Sequence, residues 1–185
     1  MRLFIAIELS PKQRHETLNL QHRLVNRLEG VSWVKPEALH ITLKFLGDSD
    51  PQAVDDIIKV MQDISLASNT FTFNLAGLGA FPSPTRARVL WTGVQEGADE
   101  LIDIASRLEE SLTFLGFKHE KRPYHPHLTL GRIRRPLPEG IVDHVIDDEK
   151  NFLSDRAPVD SFILFESHLT RQGAIYKVLY KQSLL

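Results

Sequence analysis

The chain contains no cysteine among its 185 residues. That absence removes disulfides, thiolate nucleophiles and Cys-ligated zinc or iron–sulfur centres together, and it suits a reducing, cytoplasmic setting. A strong charge of either sign is also missing. The formal net charge is −2, which argues against a protein that coats long nucleic acid with many Lys and Arg, while leaving room for a local basic patch. Long apolar runs are absent as well: MRLFIAIELS offers only Leu3 to Ile7 before Glu8. That is too short for a signal-peptide core and far too short to span a bilayer. No low-complexity segment or linker interrupts the sequence. What is there is 42% hydrophobic and 25% charged, which fits one domain or two tightly joined lobes. A chain of this size buries about 70% of its unfolded surface without needing a staple.

The apolar periodicity predicts alternating strands and helices. Residues 2–8 read as a strand. Ser10–Pro11 supplies an N-cap and a first-turn proline for a helix striped by Leu18, Leu24, Val25 and Leu28 and stopped at Gly30. Residues 38–46 alternate as a strand, and Asp50–Pro51 opens a helix carrying Val54, Ile57, Ile58, Met61 and Ile64. Residues 71–81 and 87–94 read as two strands joined by a Pro-rich turn. The order then begins again. A helix runs from about 97 to Gly116, a strand covers 125–133, and a helix opens at Pro138. Strands at 161–167 and 174–181 close the chain through the polar turn Thr170-Arg171-Gln172-Gly173.

The repetition keeps a constant offset. Pro36 and Pro123, His40 and His127, Thr42 and Thr129, and Pro51 and Pro138 are each 87 positions apart (127 − 40 = 87), as are Ala87 and Ala174 at the start of two later strands. A fixed offset through helix starts and strands points to duplication, with halves of about 1–95 and 96–185 within one bilobal domain. Two copies are too few for a solenoid. They predict a pseudo-twofold pair of lobes facing each other across a cleft.

Within the repeat, KPEALHITL (35–43) lies over RPYHPHLTL (122–130). Strand side chains alternate, so His40 and Thr42 share one face while Ile41 and Leu43 take the other, and likewise His127 and Thr129 against Leu128 and Leu130. The bare His-x-Thr pattern also occurs at His15–Thr17, inside a helix, and at His168–Thr170, beside a turn. Only the middle two combine a strand with a repeat mate. Two facing imidazoles that titrate near ~6.5 can serve as base and acid in one displacement. Two hydroxyls beside them can hydrogen-bond a phosphoryl oxygen. A strained cyclic phosphodiester opened by water fits such a site, and no metal is required.

These segments, together with the opening RLFIAIEL and WVKPEALHITLKFLG (33–47), resemble the two-histidine (2H) phosphoesterases over nearly the whole chain. Within them the sequence is similar to the bacterial and archaeal RNA 2′,3′-cyclic phosphodiesterases, also called 2′-5′ RNA ligases. The resemblance implies an α+β fold of two pseudo-symmetric lobes flanking a central cleft, each an antiparallel sheet with helices packed outside, and metal-independent hydrolysis of an RNA or oligonucleotide 2′,3′-cyclic phosphate to a 2′-phosphate. No cofactor and no membrane are expected, and a monomer is expected because no long exposed apolar strip demands a partner. By it, His40 is the proton donor to the departing oxygen and His127 the base that activates water, while Thr42 and Thr129 hold the phosphate. Arg132, from the family-like HLTLGR, is a candidate phosphate contact, although strict alternation from His127 puts it on the opposite face unless the strand bends. Tyr124 and Phe4 are candidates to contact a base or line the site.

Other readings stand beside this one. Ligation by the reverse reaction uses the same residues, and a nucleotide-binding module without turnover would be better served by Arg than by His. A metal site is disfavoured, since two His have neither Cys nor a matched carboxylate at ligand spacing. His125 reads as local hydrogen bonding, and Lys44 continues the His40 face as a source of positive potential. The stretch from Lys118 to Arg135 holds six Lys or Arg against Glu120 alone, an electrostatic guide for an RNA end.

Overall fold

The computed structural model describes residues 1–170 and 173–185. The turn expected at 170–173 includes Arg171 and Gln172, which lie outside the described residues. In chain order, β1 (Arg2–Glu8) leads into α1 (Pro11–Val25), β2 (Val31–Trp33), β3 (His40–Asp48), α2 (Val54–Ser65), β4 (Phe71–Phe73), β5 (Leu75–Phe81) and β6 (Val89–Val94). There follow α3 (Ala98–Phe114), β7 (His127–Ile133), α4 (Ile141–Asp148), β8 (Ala157–Val159), β9 (Ser161–Thr170) and β10 (Gly173–Ser183). No helix of the described residues is long and apolar enough to cross a membrane.

Local chemistry sets the helix ends. Ser10 Oγ accepts from the Gln13 amide at 3.1 Å and Gln13 Oε1 from the Ser10 amide at 3.2 Å, a reciprocal cap with Pro11 in the first turn. The first helix ends at Val25 rather than Gly30, and Leu28 reaches the core from the turn beyond it. The fourth begins at Ile141 rather than Pro138, because Gly140 takes a left-handed conformation that separates the two. The expected strand over 71–81 breaks at Asn74, whose side chain accepts from the Glu96 amide at 2.9 Å. This leaves β4 to pair with β8 in a small separate sheet.

The main sheet runs β10-β9-β1-β3-β7-β6-β5, with β2 also beside β7. Its centre is the β3–β7 junction, where the described residues pair only at Ile41 with Leu128. From that pair outward the order is palindromic: β3, β1, β9 on one side and β7, β6, β5 on the other. The halves read as 1–95 and 96–185 do not each form a lobe. One lobe joins β1 and β3 to β9 and β10 and is covered by α3 and α2, whereas the other joins β7 to β5 and β6. On that second lobe Gln21 of α1 donates to the Leu130 carbonyl at 2.8 Å. The place of β6 is taken across the junction by β1, 87 positions earlier (89 − 2 = 87), while β10 lies at the outer edge. Helices and sheet enclose one continuous apolar core that includes Ile5, Leu24, Ile41, Met61, Leu108 and Leu128. Each such side chain contributes about 1.5–3 kcal/mol on burial.

Both central strands carry a bulge at the same place. Ile5 pairs with Lys44 and Ala6 with Thr42, leaving Leu43 as the extra residue; Leu90 pairs with Gly131 and Trp91 with Thr129, leaving Leu130. An extra residue reverses the alternation beyond it. Two consecutive residues, Leu43–Lys44 and Leu130–Gly131, are therefore buried, and Phe45 and Arg132 emerge on the face of Thr42 and Thr129.

Candidate active site

On the sheet face away from the core, His40, Thr42, His127 and Thr129 surround the Ile41–Leu128 pair, all four partly buried. Continuing the antiparallel register from that pair sets His40 opposite Thr129 and Thr42 opposite His127. His40 Nδ1 lies 2.8 Å from the Ala38 carbonyl, and His127 Nδ1 lies 2.6 Å from the His125 carbonyl. A carbonyl oxygen only accepts, so each Nδ1 carries the proton. Each Nε2 then holds the lone pair. The two contacts are repeat mates, 38 and 125 differing by 87.

The rings differ in their surroundings. His40 lies 4.8 Å from Phe4 at an interplanar angle of 31° and edge-on to Tyr176 at 5.1 Å. Phe4, Ala6, Ile163 and Phe165 form a small apolar cluster of their own beneath it, with Tyr176 at the side. His127 is edge-on to Phe81 at 5.0 Å and stands 6.2 Å from Trp91 and 6.3 Å from His125. Trp91 is the repeat mate of Phe4 (91 − 4 = 87). Gly79 makes room for it, since a Cβ there would lie 2.3 Å from the indole.

Burial disfavours charge on both imidazoles. It pushes His40 down to about 4, with Arg14 adding to the effect and the Ala38 carbonyl opposing it. His127 is lowered too, chiefly by burial, the His125 carbonyl opposing and the charges of His125 and Arg132 assisting. Both rings are therefore neutral at pH 7 in the free protein. An anion placed between them reverses the balance, because opposite charge within a few ångströms favours the protonated form.

The remaining expected residues separate by position. Arg132 is exposed, and the bulge brings it to the histidine face, where its charge acts on both His127 and Tyr176. Phe4 is only 2% exposed and packs beneath His40. Tyr124, expected to contact a base or line the site, is partly buried; its hydroxyl donates to the Thr42 carbonyl at 2.9 Å, tying the approach to one motif to the strand of the other. Lys44 does not continue the His40 face. The bulge turns it inward, 5% exposed, where it pairs with Glu109 and donates to the Lys118 carbonyl at 2.9 Å. Burial works against ionisation of Glu109, but Lys44, the Glu120 amide and His119 outweigh it and hold the carboxyl below its usual range.

Sequence reasoning missed Tyr176, Phe165, Phe81, Trp91 and Phe45 as neighbours of the site. The repeat carried a signal for two, since adding 87 to Phe4 gives Trp91 and taking 87 from Arg132 gives Phe45; the others depend on strand order. A cavity of about 520 Å³ elsewhere is lined by Asn74, Glu96 and Arg156, whose polar groups already bond one another. Among the described residues no three His, Cys, Asp or Glu side chains gather where a metal ion could sit.

Comparison with known proteins gives a consistent result. The family model described as LigT like Phosphoesterase matches residues 7–91 and again residues 93–176. A protein of Aeropyrum pernix named RNA 2′,3′-cyclic phosphodiesterase is 42% identical over 80% of this chain and 83% of its own length. One of Thermotoga maritima with the same name is 34% identical over 98% of this chain and 94% of its own. The crystal structure of the Thermus thermophilus protein TT0787 superposes with a TM-score of 0.84 at 27% identity, covering 100% of this chain and 98% of that one.

Proposed function

Because the chain belongs to the LigT-like phosphoesterases, we propose that it hydrolyses RNA 2′,3′-cyclic phosphate ends to 2′-phosphates with its two central histidines as acid and base. The observation that carries this reading is the mirrored pair of rings, each pinned through Nδ1 with Nε2 left for substrate.

With the cyclic phosphate over the Ile41–Leu128 pair, His127 Nε2 takes a proton from water as the water oxygen bonds to phosphorus. The bond from phosphorus to O3′ breaks, and His40 Nε2 gives O3′ its proton. The products are a 2′-phosphate and a free 3′-hydroxyl, and the two imidazoles have exchanged protonation states. His40 must be charged to act as donor, and a ring held near 4 acquires its proton as the anion arrives. Each proton transfer contributes typically about 10²–10⁴ in rate. Thr42 and Thr129 donate to the non-bridging oxygens, Arg132 offsets the developing charge, and no step draws on a metal ion.

The test is product analysis. An oligonucleotide ending in a 2′,3′-cyclic phosphate, incubated with the protein in EDTA, is expected to yield a 2′-phosphate at an undiminished rate. A 3′-phosphate, or loss of activity on chelation, would contradict the proposal.

A further inference from the structure

Ten of the thirteen arginines fall into two groups. Arg14 is tied to the Pro36 carbonyl, Arg23 to Glu149, Arg27 to Asp148, Arg107 to Asp103 and Arg156 to Glu96. Arg86, Arg88, Arg132, Arg134 and Arg135 are all exposed, and among the described residues none of the five has a carboxylate within ion-pair distance.

The backbone positions of four of them meet at one corner of the sheet, with Arg86 two residues ahead of Arg88. Val89 pairs with Arg132, and the Ile133 amide donates to the Arg88 carbonyl at 2.9 Å, so the start of β6 meets the end of β7 there. The Arg134 amide donates to the Gly30 carbonyl at 2.9 Å, and the Arg135 side chain lies against Gly30. The acids on the adjoining segments are Glu29 and Glu139. In a chain of formal charge −2, this corner carries a local positive excess with few counter-charges. A concentration of positive charge on one part of the surface attracts polyanions.

The basic run that looked continuous in sequence is divided by the fold. Lys118 to Arg122 sit beside β3 and α3, held through Lys44 and Glu109. Arg132 to Arg135 sit on the other lobe with Arg86 and Arg88. The corner is also continuous with the site: His127, Thr129 and Arg132 share one face of β7, which spans at most about 16 Å from His127 to Arg132 at 3.3 Å per residue. A phosphate at the histidines meets only Arg132, whose charge already acts on His127, while the other four arginines lie beyond it, where the preceding phosphates of the same strand can reach.

We propose that the arginine corner is a second binding site, for the phosphodiester backbone of the RNA upstream of the cyclic end, so that the protein prefers oligonucleotides to mononucleotides regardless of base. This rests on the function proposed above and extends it from the reacting phosphate to the strand behind it. Guanidinium–phosphate contacts position a strand without reading its bases, and for single strands log K falls with log salt with a slope of about −0.7 for each phosphate engaged.

The experiment compares 2′,3′-cyclic AMP with a cyclic-phosphate-ended decanucleotide. It uses the wild type, a fourfold variant (Arg86→Gln, Arg88→Gln, Arg134→Gln, Arg135→Gln) and, should that fold poorly, the double variant Arg88→Gln/Arg134→Gln. Expected is a higher kcat/KM for the decanucleotide that falls tens of fold in the fourfold variant, mainly through KM, with a shallower salt dependence. Turnover of 2′,3′-cyclic AMP is expected to stay unchanged. Equal efficiency on both substrates in the wild type, or an equal loss on both in the variant, overturns the inference while leaving the proposed function standing. If the wild type turns over neither substrate, that function fails. Fluorescence anisotropy with a 3′-phosphorylated decanucleotide then decides this inference alone, tighter wild-type binding supporting it and equal binding refuting it.

Discussion

Ile41 and Leu128 face each other across the centre of the sheet, and they are repeat mates, 128 − 41 = 87. A residue paired with its own duplicate lies on the pseudo-twofold axis. Everything one step away is therefore presented twice around one point, His40 with His127 and Thr42 with Thr129. Both apolar side chains are fully buried, so the axis is anchored in the core and the polar side chains have only the outer face left to them.

Replacing His40 or His127 by Ala should lower kcat by about 10²–10⁴ each. The double variant should lose less than the product of the two, as expected for groups acting in one step. Single-turnover rates together with a thermal melt check this. A loss that tracks unfolding, or a single variant with near-normal rate, would count against the assignment.

The pH dependence of kcat/KM reports the free protein, where burial depresses both rings. One ring must be charged and the other neutral, so kcat/KM should peak on the acid side of 6.5, above the pKa of about 4 for His40. In the complex the phosphate anion raises both rings, and the kcat optimum should lie at higher pH. Coincident profiles would show that the substrate does not sit between the imidazoles.

Stability should carry the same signature. A histidine whose folded pKa lies below its unfolded value binds its proton more readily when unfolded, so stability rises with pH between about 4 and 6.5 and levels off above. Urea midpoints across that range, for the wild type against His40→Gln, should show a steeper rise in the wild type. Parallel curves would mean that His40 is not held neutral by the fold.

Tyr124 tests the link between the two motifs. Tyr124→Phe removes the hydrogen bond to the Thr42 carbonyl and should cost about 1 kcal/mol of stability. If the bond positions Thr42 for the transition state, kcat should fall while KM stays level. A rise in KM at constant kcat would instead make Tyr124 the substrate contact that the sequence suggested.

Much of this was legible in the chain before it folded. The 87-residue offset singled out both histidines and both threonines, and alternation put each pair on one strand face, but that Ile41 meets Leu128 on the axis came from the fold. The partition into lobes was not legible, because strand order is a long-range property: β1 and β9 are neighbours although most of the chain separates them. Lys44 and Arg132 exchanged their expected faces for a local reason, since a one-residue bulge reverses the alternation and nothing in Leu43 or Leu130 announces it. Phe45 illustrates the same device, emerging 58% exposed beside Phe4 at the position whose repeat mate is Arg132.

The central claim is that one phosphate is seen by two imidazoles at once, and a histidine-selective NMR titration with 2′-AMP addresses it without relying on turnover. The Nε2 resonances of His40 and His127 should move together with a single dissociation constant, and both pKa values should rise in the complex. A response from one ring alone, or two rings titrating with separate constants, would contradict a shared phosphate.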